Sequence, residues 1–286
     1  RNCTGWATLP IVGATWNHDV QTRFGEMYGE DALYASIPIA YAPGADTLRS
    51  PYSGRTSEYF SEDGVLSYYA AKAVSHGMRN KGLIGTVKHF FLNEQEAGRQ
   101  GISTFANEQA IREIYMRAFE GSLAEGDSLG VMTAYNRVGI TQDNAHTGLT
   151  KNILRNEWGF QGLISEDFIQ NANYVVLKEA VLNGVTMSCN TGDNTMAAVS
   201  EKYPYWTVEA VSQDTTMMTA LKQAMKYQNY ALANSNAMDG MASNTKLVSV
   251  RTWYDNALTA VQIVFAALTV LAAAMYVLDE RKSKKQ

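Results

Sequence analysis

The sequence predicts an α/β chain, a (β/α)8 TIM-type barrel incomplete at its N-terminus and followed by a single transmembrane helix. Three observations lead there. Short apolar runs alternate with longer segments of helical periodicity. Charged and polar residues gather at or just after the ends of those runs. One long uncharged stretch lies near the end of the chain.

The apolar runs, read as strands, are Ile37 to Tyr41, Leu83 to Val87, Leu129 to Ala134, Leu163 to Ser165 and Val185 to Met187. Helical periodicity marks Asp19 to Tyr34, Val65 to Arg79, Glu108 to Ala124, Lys151 to Trp158, Tyr174 to Leu182 and Thr215 to Ala233. Asn107 and Thr150 precede two of these segments and are expected to cap them. Strands separated by helices run parallel. Five or six strands are visible, so the expectation is a barrel whose opening strands lie upstream of Arg1, or a degenerate barrel. A doubly wound open sheet is the alternative. No Gly-x-Gly-x-x-Gly turn follows the first strand, which weighs against its nucleotide-binding form.

Ala257 to Leu278 holds 22 residues without a charge, which at ~1.5 Å per residue is about 33 Å, enough to cross a hydrocarbon core. Thr259, Gln262, Thr269 and Tyr276 interrupt it and leave a buried amphipathic helix as the bland alternative. Arg281, Lys282, Lys284 and Lys285 follow, against Lys246 and Arg251 before it. The excess of positive charge places the tail in the cytoplasm and the globular part outside a cell membrane crossed once. The expected organisation is a partial barrel over 1–245, a juxtamembrane linker over 246–256, a transmembrane helix over 257–278 and a cytoplasmic basic tail over 279–286. Membrane lipid is then one partner. Asn2, Cys3, Thr4 and Gly5 do not form a charged start followed by an apolar core, and the chain reads as the C-terminal part of something longer.

Composition narrows the function classes. With 46% hydrophobic residues the chain can bury a sizeable core, and a net charge of -4 offers no basic excess for nucleic acid. Cys3 and Cys189 have no Cys or His at ligand spacing, so neither a zinc site nor a disulfide framework is indicated. Cys189 reads as a lone buried thiol. No metal or cofactor is implied.

The chemistry concentrates in Lys88-His89-Phe90-Phe91-Leu92-Asn93-Glu94-Gln95-Glu96-Ala97-Gly98-Arg99, in Tyr135, and in Glu166-Asp167 behind Trp158-Gly159-Phe160. Arg55 falls after the first strand. A lysine, a histidine and arginines beside a carboxylate suit a pocket that grips sugar hydroxyls next to a nucleophile. Each residue also has a plainer role. Lys88 can pair with a surface acid, His89 can be a hydrogen-bonded core histidine, Arg99 can pair with Glu96 along a helix, and Tyr135 can be core.

The order Arg49-Ser50-Pro51, Gly54-Arg55, Glu58, Ser61-Glu62-Asp63, Lys88-His89-Phe90 with Asn93, Glu96 and Arg99, Arg112-Glu113-Ile114-Tyr115, Met132 with Tyr135-Asn136, and Trp158-Gly159-Phe160 with Gly162 and Asp167 resembles glycoside hydrolase family 3. The match runs from about Thr4 to Met187. It implies a retaining, exo-acting β-glycosidase acting on terminal β-D-glucosyl or xylosyl residues of an oligosaccharide or glycoside. In that resemblance Asp167 takes the nucleophile's place. Arg55, Lys88, His89 and Arg99 match positions that hold hydroxyls of the non-reducing-end sugar, and Tyr135 matches the tyrosine close to the nucleophile.

Glu166 is the main departure, because the family usually has a small hydroxyl residue before its nucleophile. In a strand Glu166 would face the helices and need a cation there. If the strand has ended, both acids approach the pocket, and mutual repulsion raises one pKa. Thr56-Ser57 and Val138-Gly139 depart in loop detail only. A retaining enzyme also needs an acid/base about 5 to 5.5 Å from the nucleophile. The resemblance implies that it comes from a separate α/β sandwich domain, for which the residues after Asp167 leave no room. A permuted order, with the sandwich domain first, is the preferred account. The β-N-acetylhexosaminidase branch is disfavoured, since no Gly-Asp-Thr-rich loop follows Lys88-His89. A membrane-anchored sugar-binding protein with lost catalysis is the alternative from another class.

Overall fold

A computed structural model of the chain describes residues 4–125, 127–168, 176–189, 207–238 and 251–283. Two compact units divide it, Arg1–Asp239 and Gly240–Gln286.

The strands of the first unit are β1 (Ile39–Ala40), β2 (Ile84–Phe90), β3 (Ser103–Thr104), β4 (Gly130–Thr133), β5 (Arg137–Val138), β6 (Thr141–Gln142) and β7 (Leu163–Ser165). Four form a parallel sheet in the order β1-β2-β4-β7, and Met187 adds a parallel bridge to Ser165. Each strand pairs with the next one of that sheet in chain order. A doubly wound sheet instead reverses at its switch point, and among the described residues no reversal occurs. All five expected strand runs therefore contribute to one parallel array. β2 runs past the expected end at Val87 to Phe90, so Lys88 and His89 stand within the strand rather than after it. A register shift between Val87 and Phe90 marks this place, and the peptides Lys88-His89 and Phe90-Phe91 are cis. A small second sheet joins β3, β5 and β6.

The helices follow their local signals. His18–Ala35 starts where the Asn17 side chain accepts from the amides of Asp19 and Val20, and Gly64–Asn80 starts where Asp63 accepts from Leu66 at 2.7 Å. The two pack closely because Gly25 and Gly77 meet. A Cβ on Gly25 would lie 2.2 Å from the Val74 carbonyl oxygen, and one on Gly77 would lie 2.1 Å from that of Thr22. Glu108 to Leu123 is helical with a wider π turn at Ile111–Tyr115, and Asn107 caps it as expected. Thr150 does not cap. The helix there spans Gly148–Glu157, and the Thr150 hydroxyl bonds to the carbonyls of His146 and Asn183, at 3.1 and 2.6 Å. A threonine inside a helix turns its hydroxyl back to the carbonyl four residues earlier. The later helices are Leu177–Leu182, Val208–Gln213, outside the helical segments expected from periodicity, and Thr215–Ala233. Tyr174 and Cys3 lie outside the described residues.

Helices and sheet close over Val87, Phe90, Phe91, Phe119, Val131, Leu154 and Ile164, all buried. Phe90 meets Phe119 and Trp158 edge-on, at centroid distances of 5.3 and 5.7 Å. Gly159, at φ 64°, turns the chain so that Phe160 joins the core and β7 lies alongside β4. The same strand delivers Asp167 two residues past its end.

In the second unit one helix, Trp253–Ser283, spans 31 residues. Its Trp253–Leu278 stretch has a mean hydropathy of 2.3 and is long and apolar enough to cross a membrane. Ile263, Phe265, Val270 and Met275 are each more than half exposed.

Candidate active site

Because the sheet is parallel, the segments after β1, β4 and β7 and the last residues of β2 meet at one edge. That edge collects all six residues singled out from the sequence. Arg55 donates to both oxygens of Glu58, at 3.0 and 2.6 Å, and Lys88 reaches the same carboxylate at 3.1 Å. Lys88 thus pairs with an acid, but one inside the cluster. Arg55 also donates to His89 Nε2 at 3.1 Å. A guanidinium is donor-only, so Nε2 is an acceptor and the proton of the neutral ring sits on Nδ1. Nδ1 lies 3.3 Å from both Asp46 Oδ2 and the Tyr59 hydroxyl.

Asp167 is 6% exposed. Arg99 Nη1 donates to its Oδ2 at 3.3 Å and also to Glu96 at 3.4 Å, the latter pair formed in a turn rather than along a helix. His89 Nε2 lies 3.8 Å from Asp167 Oδ2, and the Phe168 amide donates to Oδ1 at 2.7 Å. Arg99 stacks over the Tyr135 ring at 4.7 Å, and Gln100 donates to the Tyr135 hydroxyl. One network therefore links Lys88, Glu58, Arg55, His89, Asp167, Arg99 and Tyr135. Asn93 and Arg55 join it through Glu96.

Three contributors carried little signal in the sequence. Asp46 is fully buried, accepts from the His89 amide at 2.8 Å and from the Asn93 amide at 3.3 Å, and so fixes the turn of chain that carries His89. Its only mark was a lone carboxylate after the Pro43-Gly44 turn. Tyr59 is buried against the His89 ring. Glu58 was noticed in the family pattern but not as the shared partner of Arg55 and Lys88. Partial burial works against ionising Glu58, yet the hydrogen bond from Arg55 and the charge of Lys88 take it down to about 2.

Glu166 differs. It is 3% exposed, and no cation lies within ion-pair reach among the described residues. The Asn144 amide donates to Oε2 at 3.1 Å. Burial pushes its carboxyl up to about 8, against the hydrogen bonds from Asn144 and Ser188. β7 ends at Ser165 and both acids line one cavity, the second of the two expected arrangements, but the upward shift comes from burial rather than from repulsion by Asp167. Cys189 is buried, as expected, beside the Tyr41 hydroxyl.

A parallel α/β domain that gathers a carboxylate, a histidine and three cations at the C-terminal edge of its strands defines a class, the α/β enzymes that build pockets there. Residues 7–229 match the glycosyl hydrolase family 3 N terminal domain, and the chain belongs to that family. It is 38% identical over 157 residues to probable beta-glucosidase I of Aspergillus flavus, covering 55% of this chain and 19% of that one. It is 33% identical over 200 residues to beta-glucosidase A of Butyrivibrio fibrisolvens, covering 70% and 24%. The chain thus spans about a fifth to a quarter of the length of these curated relatives. Among solved structures, beta-glucosidase 3B from Thermotoga neapolitana superposes with a TM-score of 0.74 at 27% identity, covering 83% of this chain and 33% of that protein.

Proposed function

We propose that the chain carries the sugar site and nucleophile of a retaining, exo-acting β-glycosidase that hydrolyses terminal β-D-glucosyl or xylosyl residues. The observation that carries this is Asp167, enclosed, with Arg99 donating to it at 3.3 Å and the His89 ring 3.8 Å away. The guanidinium orients the carboxylate for attack. Asp167 forms the covalent glycosyl-enzyme bond, and water later breaks it. Arg55, Lys88 and Arg99 hold hydroxyls of the sugar by charge-assisted hydrogen bonds, His89 accepts from one through its neutral ring, and Tyr135 flanks the nucleophile. The acid/base comes from outside this chain. The names of the relatives and the family membership support a β-glucoside as substrate.

The parallel array is assigned to a (β/α)8 barrel, supported by its strand order and by the Thermotoga likeness. The helix over 257–278 is assigned to the membrane, with the barrel part over 1–245 outside, the linker over 246–256 between them, and the tail over 279–286 in the cytoplasm.

Release of dinitrophenol from a 2,4-dinitrophenyl β-glucoside by the chain in detergent tests the nucleophile, because so good a leaving group hardly needs a general acid. Release that falls by about a thousandfold or more in Asp167→Asn is the expected result. A fall of less than about tenfold would overturn the role of Asp167. No release from either protein would favour sugar binding without turnover.

A further inference from the structure

We propose that Glu166 is a positioning residue, held beside Asp167 as a neutral carboxylic acid whose proton is donated to the side-chain oxygen of Asn144. The functional part of this rests on Asp167 being the nucleophile; the protonation does not.

The geometry comes first. Glu166 and Asn144 are 3% and 2% exposed. The Asn144 Nδ2 donates to Glu166 Oε2 at 3.1 Å, while Asn144 Oδ1 is buried with no donor among the described residues. An ionised carboxylate only accepts, and so does an amide oxygen. With Glu166 ionised the orphan acceptor stays orphaned; with one proton on Glu166 the acid and the amide form a two-point pair, each donating once. A buried acceptor without a donor is costly, so the pair selects the protonated acid. The place is fixed by backbone too, since the Glu166 amide donates to the Met187 carbonyl at 3.1 Å and the Ser165 hydroxyl donates to the Glu166 carbonyl at 2.9 Å.

Glu166 and Asp167 both line one cavity of about 10 Å³, with Thr133, Tyr135 and Asn144. The titratable groups around Glu166 are Asp167 next in the chain, Tyr135 across the cavity, Asp143 beside Asn144, and Cys189 beyond Met187. Burial holds Asp143 well above the usual carboxylate range. The Cys189 thiol is raised by burial first and also by the charge of Asp167, with the Tyr41 hydroxyl and Lys88 acting the other way. A neutral Glu166 leaves Asp167 as the one anion facing Arg99 from this segment. Burial pressing Glu166 up to about 8 is in line with that state. Ionising it would set a second negative charge beside the nucleophile.

The test compares the full chain with Glu166→Gln by infrared difference spectroscopy in detergent. A protonated-carboxyl band at pH 7 that Glu166→Gln lacks is the expected result. No such difference would overturn the proposal, whatever the activity. Thermal unfolding adds a second readout. From pH 5 to pH 9 the wild-type midpoint falls by about 5 °C more than that of Glu166→Gln. Glu166→Ala lowers the midpoint at every pH, and the amide of Glu166→Gln restores it. Equal slopes in wild type and Glu166→Gln would overturn it. With dinitrophenyl glucoside, the ratio of kcat/KM at pH 6 to that at pH 9 is expected to exceed about tenfold in the wild type and to stay under about threefold in Glu166→Gln. Identical profiles in two active proteins would overturn the positioning role. Failure of Asp167 as nucleophile shows instead as no turnover in either protein while the infrared band persists.

Discussion

Two sets of carboxylates in the same domain live in opposite surroundings. Glu58, Glu96 and Asp167 lie at the strand edge, each within 3.4 Å of a guanidinium. Glu166, Glu94 and Asp143 are buried with no cation in ion-pair reach among the described residues, and burial raises all three. Burial pushes Glu94 up to about 8, and the charge of Asp46 adds to it. Asp143 accepts from the Ala134 amide at 2.7 Å. Cations pair with the edge carboxylates, whereas burial favours the protonated form of the other three. Adjacent residues Glu166 and Asp167 fall on opposite sides of that division, which shows that chain position alone does not set a carboxyl's state.

Breaking the charged side should cost most. Arg99→Ala leaves Asp167 without its guanidinium and is expected to lower kcat/KM by about a hundredfold. Arg99→Lys should restore only part of this, because a single ammonium cannot bridge Glu96 and Asp167 as the fork does. Steady-state kinetics on a β-glucoside would settle both. The deeper layer should show in pH. Glu166 has a folded pKa raised from 4.5 to about 8, so the folded chain binds more protons than the unfolded one between those values. Its contribution is fully present below about pH 4.5 and is lost as pH rises through about 8. Denaturant titrations across that window should register a loss on the order of 3 kcal/mol that Glu166→Gln removes.

Glu58 should behave in the reverse sense and more weakly. Its folded pKa lies below the ordinary value of 4.5, at about 2, so its contribution is present above pH 4.5 and disappears as pH falls through about 2. The side chain is 40% exposed, and solvent screening holds the effect on unfolding to under about 1 kcal/mol. Glu58→Gln should flatten the acid limb by that amount. Smallest of all is Arg112→Ala. Arg112 bridges Glu108 and Glu157 across the surface, away from both carboxylate sets. Chemical denaturation should change by no more than about 0.5 kcal/mol, with no change in pH dependence. A larger effect would mean that the contrast between edge and interior is not the main electrostatic division of the domain.

Much of this was legible in the chain. The five apolar runs were readable because a strand buried on both faces needs consecutive apolar residues, and Asn107 was readable as a cap because its hydrogen bond closes within three residues. Thr150 was misread for the complementary reason, since its second partner, Asn183, lies 33 residues away. Lys88 and His89 were expected at the end of the strand but stand within it, because β2 continues through polar residues once Asp46 and Glu58 satisfy them. Asp46 itself had no periodic pattern to betray it.

Sequence alone determined the α/β alternation, the family, the six candidate residues that the fold gathers and the long uncharged stretch, because each is written in local spacing or in motif order. Tertiary structure alone decided which acid meets which cation. Whether Glu166 is a carboxylate or an acid depends on burial and on Asn144, 22 residues earlier. Pairing of Asp46 with His89 depends on two strands lying side by side. Those are energies of desolvation and of contact between distant segments, and they exist only once the chain has closed on itself.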